Sequence, residues 1–177
     1  MYCTLHKAEL HLYADHLKRL DANDRYSRFS YPAKDEWIDS YVRDINMERD
    51  RIKVIFDGGK VVAAIHIGVS GDFAEVGVSV EKEHRGKGWG HLLFDAAITW
   101  CKVKGIKHME TVCLCQNKWM IGKVKEFNSS FEREGGQVIA DFDIEGRASL
   151  EESIKETRNS LFGFYRWLYG ALVAQAK

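Results

Sequence analysis

The run Arg85-Gly86-Lys87-Gly88-Trp89-Gly90-His91 holds an arginine and three alternating glycines. A valine-rich stretch, Val76 to Val80, leads towards it, and the apolar Leu92-Leu93-Phe94 follows. That order reads as a strand entering a tight turn that opens directly into a helix. The first backbone N–H groups of a helix have no partner within it, and with the positive end of the helix dipole they form an anion site. Glycines allow the unusual dihedrals of such a turn and let a phosphate approach the backbone. Arg85 adds a permanent charge whose fork suits phosphate oxygens. Glycines between strand and helix can also serve only as a tight connection; the arginine and the ordered flanks favour the anion site. Two other phosphate patterns fail. A Walker loop needs Lys-Ser/Thr after its second glycine, which Trp89-Gly90-His91 lacks. The dinucleotide fingerprint needs G-x-G-x-x-G and an acid ending the next strand, whereas here the spacing is Gly86-x-Gly88-x-Gly90 and the strand ends in Cys115-Gln116-Asn117.

The patterning around this turn supplies its scaffold. About His6 to Leu20 reads as a helix with Leu10, Leu17 and Leu20 on one face. Asp21-Ala22-Asn23-Asp24 reads as a turn or helix cap. Asp35 to Asn46 gives an amphipathic helix with Trp37, Ile38, Tyr41, Val42 and Ile45 on one stripe. Ile52, Val54 and Phe56 alternate, Asp57-Gly58-Gly59 turns, and Val61 to Val69 is apolar, which together predict a β-hairpin. A strand over Phe73 to Val80 follows, then a helix over about Gly88 to Lys104 closed by Gly105. Met109 to Cys115 reads as a strand, Lys118 to about Glu134 as a helix stopped by Gly135-Gly136, and Gln137 to Ile144 as a last strand. Ser149 caps a long helix to about Gln175, with Glu151 and Glu152 in its first turn. The expected fold is α/β, a mixed sheet with helices on both faces and a βαβ unit over 73–115 that favours parallel pairing. One domain over 1–177 is expected, with a core over about 1–145 and a helical extension over about 149–175.

The 177 residues are 45% hydrophobic and 29% charged, ordinary for a globular protein. Its 26 basic and 26 acidic side chains cancel, which argues against a nucleic-acid partner. No apolar run approaches the roughly 20 residues of a membrane helix, and Met1 to Lys18 hold no apolar signal core. Cys3, Cys101, Cys113 and Cys115 fit neither a disulfide framework nor a zinc site. Reduced thiols, a cytoplasmic location and no metal are expected.

Arg85-x-x-Gly88-x-Gly90 after a valine-rich strand resembles the acyl-CoA-binding motif of the GNAT superfamily of N-acetyltransferases. The element order is similar to that superfamily over about residues 1 to 140. Leu20-Asp21-Ala22-Asn23-Asp24-Arg25-Tyr26-Ser27-Arg28-Phe29 resembles the L-x-x-x-S/D-R-x-x-R-F segment of a subgroup that includes bacterial protein-lysine acetyltransferases. The resemblance implies acetyl-CoA as cofactor and a sheet splayed at its centre. Backbone groups of Val78 and Val80, beside Ser79, would pair with the pantetheine arm. The N–H groups from Arg85 through Gly86, Lys87, Gly88, Trp89 and Gly90 to His91 would hold the pyrophosphate, and Asn117 matches an asparagine that often contacts the cofactor arm.

Transfer to an amine needs a base, because an ammonium cannot attack a thioester. Glu75 matches a position where the superfamily often carries an acid, and would act through water; the bland alternative is an ion pair with a neighbour. Alternation puts it on one face with Gly77 and Ser79, opposite Val76, Val78 and Val80. Many family members supply a tyrosine as the acid from the helix after Asn117, and Lys118 to Phe127 contains none. Water, Ser79 or Cys115 could serve instead, or thiolate could leave unaided. Arg25 and Arg28 could attract an anionic acceptor or merely cap and pair. His84, His91 and His108 read as surface or loop residues. The aromatic run Phe162 to Tyr169 is either a docking face against the domain or a homodimer contact. The acceptor, whether a small-molecule or protein-lysine amine, is left open, and a non-catalytic acyl-CoA sensor is the competing reading.

Overall fold

The computed structural model describes residues 1–126, 130–144, 146 and 148–175. A short strand β1 (Cys3–Thr4) precedes three helices, α1 (Leu10–Arg19), α2 (Ala22–Phe29) and α3 (Asp35–Arg43). Then come β2 (Arg51–Asp57), β3 (Lys60–Ser70), β4 (Phe73–Val80) and α4 (Trp89–Lys104). The chain continues through β5 (His108–Leu114), α5 (Lys118–Glu126), β6 (Ser130–Glu134), β7 (Gln137–Asp143) and α6 (Leu150–Gln175). The described strands form one sheet in the order β1-β2-β3-β4-β5-β7-β6, and only β4 and β5 run parallel.

Two apolar clusters lie on opposite faces of this sheet, which is why the central strand β3 is apolar at successive positions. Ala63, Ile65 and Ile67 join Leu93, Phe94 and Ala97 of α4, while Val61 and Ala64 join Tyr13 and Leu17 of α1 and Ile38 and Val42 of α3. Each Val, Leu, Ile or Phe among them, fully buried, contributes about 1.5–3 kcal/mol over leaving it exposed. On β4, Ala74 and Val76 belong to the α4 cluster, so Glu75, Gly77 and Ser79 face α1 and α2.

The structure adds to or corrects the sequence expectations at three places. Of the two readings at Asp21, the helix cap is the one found: Asp21 Oδ1 accepts the Asp24 N–H at 2.9 Å and opens α2, a helix to Phe29 that was not foreseen. No residue of α2 is fully buried, so it lacks the apolar stripe that marks its neighbours. Of the helix expected from Lys118 to Glu134, Lys118–Glu126 is helical, whereas Ser130–Glu134 is an edge strand paired with β7 across Gly135 and Gly136, both at positive φ. Its Ser-Phe-Glu-Arg-Glu sequence is charged because the strand is exposed along its whole length. The residues between them, including Phe127, lie outside the described ones. Finally, β1 was not foreseen; it adds a strand beside β2 and gives α6 its seat.

Candidate active site

Parallel pairing of β4 with β5 stops early. Phe73, Ala74 and Glu75 pair with His108, Met109 and Glu110, and beyond them the strands diverge. The Thr111 hydroxyl donates to the Val76 carbonyl at 2.9 Å, replacing the next rung. Farther along, the Val80 carbonyl faces the same gap and accepts Arg85 Nε–H at 3.3 Å. Two-residue alternation therefore turns the Val78 backbone into the gap as well, with no strand to meet it. The gap widens into a cleft of about 620 Å³ bounded by α2, β4, the start of α4, the end of β5 and the start of α5.

The glycine turn closes one end of that cleft. Gly86 and Gly88 both have φ of 76°, and a Cβ on either would meet nothing within 4 Å. Gly88 caps α4 without any side-chain hydrogen bond, so the first N–H groups of the helix open onto the turn. This is a fit for a phosphate: unpaired donors, glycine backbone and free space in one place. Gly90 has another purpose, since its Cβ would come 3.3 Å from the Trp119 ring, which packs α5 onto α4.

Of the predicted residues, Val78, Ser79, Val80, Arg85, Gly86, Gly88, Trp89, Gly90, His91 and Asn117 line this cleft, and Glu75 and Lys87 do not. Arg85 is ion-paired with Asp24 of α2 across the cleft mouth. Lys87 Nζ sits 4.9 Å from the Trp89 ring and 3.3 Å from His84 Nδ1. His91 Nδ1 accepts the Trp119 indole N–H at 3.1 Å. Asn117 Oδ1 accepts the Met120 N–H at 3.2 Å and so starts α5, leaving its amide N–H donors without a protein partner among the described residues.

Residues 15–122, which span the cleft from α1 to α5, match the model of the Acetyltransferase (GNAT) family. The chain belongs to that family. Among curated proteins no relative matches. Three solved structures share the GNAT fold at low identity. The GNAT domain of S. lividans PAT is 19% identical with a TM-score of 0.67, over 80% of this chain and 89% of that one. An N-acetyltransferase from Staphylococcus aureus Mu50 is 15% identical with a TM-score of 0.64, over 82% and 98%. The PaiA N-acetyltransferase from Thermoplasma acidophilum, in complex with coenzyme A, is 16% identical with a TM-score of 0.59, over 81% and 98%.

The other wall of the GNAT cleft is built by Leu20 and α2, with α1 packed behind β4. Glu75 is exposed at the last paired position before the splay. Its neighbour in the register, Glu110, is pushed above the usual carboxylate range by burial and by the charges of Glu75 and Asp141. The Arg28 guanidinium lies on Gly77, and its Nη2 donates to the hydroxyls of Tyr13 at 3.3 Å and Tyr41 at 3.0 Å. Burial pushes the Tyr41 hydroxyl up and the His66 imidazole, 2.6 Å from that hydroxyl, down. Arg25 is structural: it pairs with Asp35 at 2.8 Å and donates to the carbonyls of Leu20 and Ala33.

Ser79 is held by two residues that the sequence reading missed. Its Oγ lies 2.8 Å from His16 Nε2, and His16 Nδ1 lies 3.1 Å from Glu81 Oε1. Burial holds His16 below the ordinary histidine range, and the bond from His16, with Arg19 beside it, holds Glu81 low. No local motif links positions 16, 79 and 81; the available signal was a lone histidine among Tyr13, Leu17 and Leu20 on the apolar face of α1. Cys115 follows the last residue of β5, is exposed and does not line the cleft.

Proposed function

We propose that this chain is an acyl-CoA-dependent N-acyltransferase that moves acetyl from acetyl-CoA to a primary amine by direct attack. The observation that carries the reading is the early end of the β4–β5 ladder beside a glycine turn that opens α4. A phosphate-bearing carrier fits the turn, and an extended arm fits the unpaired Val78 and Val80 backbone as an added strand. The coenzyme A in the complex of the similar PaiA N-acetyltransferase supports the same carrier here. In this reading the N–H groups from Arg85 to His91 hold the pyrophosphate, and Lys87 adds charge at its edge. Arg85 exchanges Asp24 for phosphate oxygens when the carrier enters. The Asn117 amide donates to the arm. Glu75, exposed on the acceptor face, draws the first proton from the ammonium through water.

Acetyl is the acyl group proposed, and the acceptor is a small-molecule or protein-lysine amine. Balanced charge argues against nucleic acid. No described helix is long and apolar enough to cross a membrane. The four free thiols support a reducing, cytoplasmic setting. Exposed Phe162, Tyr165 and Tyr169 on α6 support a homodimer through that helix, which sedimentation should find as a dimer that Tyr165→Glu with Tyr169→Glu splits.

Isothermal titration with acetyl-CoA tests the carrier site. Saturable binding by the wild type is expected, and its loss in the Arg85→Ala, Gly88→Glu double variant; a wild type that does not bind sinks the reading. Among the described residues α5 holds no tyrosine, an observation that favours a second reading, an acyl-CoA sensor without turnover. Glu75→Gln separates the two: an enzyme loses rate and keeps its acetyl-CoA affinity, whereas a sensor has no rate to lose.

A further inference from the structure

The chain of hydrogen bonds Ser79–His16–Glu81 ends in the wall of the cleft. His16 is fully buried, and Ser79 keeps 8% exposure where it lines the cleft. Glu81 Oε1 lies 3.1 Å from His16 Nδ1 and 2.9 Å from Arg19 Nε, and Arg19 Nη2 also donates to the Val61 carbonyl at 2.6 Å. Ser79, Glu81, Arg19 and that carbonyl are the polar groups around the imidazole.

The direction of the bonds follows from their chemistry. An ionised carboxylate can only accept, so His16 Nδ1 carries a hydrogen and donates it to Glu81. The neutral ring then presents a lone pair at Nε2. The Ser79 hydroxyl must donate to that lone pair, which turns its proton inward and leaves the oxygen lone pairs towards the cleft. Ser79 is thereby an acceptor for an N–H group, with a base directly behind it.

We propose that Ser79, positioned and backed by His16 and Glu81, is a catalytic proton relay that takes a proton from the attacking amine and returns it to the leaving sulfur. The inference rests on the N-acetyltransferase reading. As the neutral nitrogen bonds to the thioester carbon, it passes a proton to Ser79 Oγ while Ser79 passes its own to His16 Nε2. The imidazolium so formed lies against ionised Glu81, which stabilises it. When the carbon–sulfur bond breaks, the electron pair stays on sulfur; Ser79 gives it a proton and takes one back from Nε2. Nitrogen has lost one proton, sulfur has gained one, and the relay is in its starting state. The earlier proton, whose loss makes the ammonium neutral, leaves to solvent by way of Glu75. The relay supplies the acid that α5, without a tyrosine, does not.

Thiol release from acetyl-CoA with hydroxylamine as acceptor tests the relay in the full chain, since this small nucleophile is neutral near pH 7. Ser79→Ala and His16→Gln should each lower kcat at least ~100-fold with acetyl-CoA affinity unchanged. The double variant should be no slower than the slower single variant, because the two side chains act as one unit. A loss under about threefold in Ser79→Ala, or losses that add in the double variant, overturns the relay while the enzyme reading stands. A wild type that binds acetyl-CoA and releases no thiol overturns both. If His16→Gln does not fold, nitrogen NMR of the wild type decides: hydrogen on Nδ1 and a bare Nε2 at His16 are expected, and hydrogen on Nε2 overturns the relay.

Discussion

A Cβ added at Gly77 would lie 2.0 Å from the Cζ of Arg28, whose guanidinium rests on the bare backbone there. Glycine at this position gives room to a neighbour and needs no special dihedral, in contrast to Gly86 and Gly88, which have positive φ and open space around them. Gly77→Ala must therefore push Arg28 off the β4 face and away from Tyr13 and Tyr41. The expected cost is about 1–3 kcal/mol, read from the urea midpoint. Gly77→Ala with Arg28→Ala should relieve the clash, so that the glycine change costs less in that background. Equal costs in both backgrounds would mean that the contact is unimportant.

At the scale of elements, α6 is fixed to the sheet by buried charge as well as by packing. Lys53 Nζ, fully buried under the sheet, meets Glu156 Oε1 of α6 at 2.5 Å. Burial pulls the Lys53 ammonium down and pushes the Tyr2 hydroxyl beside Glu156 up to about 12. Gly163 lets α6 lie on the β1 backbone, since its Cβ would come 2.2 Å from the Thr4 carbonyl oxygen. His6 stacks on Trp167 at 3.9 Å, and Arg166 pairs with Glu9 at 2.5 Å. Glu156→Ala leaves a buried ammonium alone and should cost about 3–5 kcal/mol in urea unfolding. Lys53→Met with Glu156→Leu replaces both charges by apolar volume and should recover most of that stability.

Across the whole molecule, one buried and one half-buried histidine set a pH dependence. His16 and His66 are both held below the ordinary 6.5, chiefly by burial. On unfolding they return to it, so below that pH the unfolded chain binds more protons than the folded one. Their contribution is full above about pH 6.5 and is lost as pH falls further, through their folded values. Glu81, held low by its bond from His16, and Asp50, held low against burial by His66 and backbone N–H groups, add stability that persists until pH drops into the carboxylate range near 4. The calorimetric midpoint should fall between about pH 7.5 and about pH 5.5, well before carboxylates titrate. His66→Gln should reduce that fall, and an unchanged slope would exclude His66 as a source.

Much of the scaffold was legible from local order. The β4 bounds, the helix opened by Gly88 and closed by Gly105, and the hairpin at Asp57-Gly58-Gly59 all follow from short-range patterning, because turn dihedrals and strand alternation are properties of adjacent residues. The glycine turn before α4 was legible for the same reason. What was missed or misread falls where burial, not propensity, decides: α2, foreseen only as a cap, has no buried stripe, and charged β6 is a strand only because β7 offers it an edge. Adjacent residues are enough to specify the glycine turn, its arginine and the strand and helix on either side. Packing in three dimensions is what sets Arg28 on Gly77, pairs Arg85 with Asp24, and joins Ser79, His16 and Glu81 in one chain of hydrogen bonds. Those contacts join α1 and α2 to β4 and the residues just after it across about fifty residues of chain or more, and such distances are closed by packing the two apolar faces of the sheet, which no local pattern encodes.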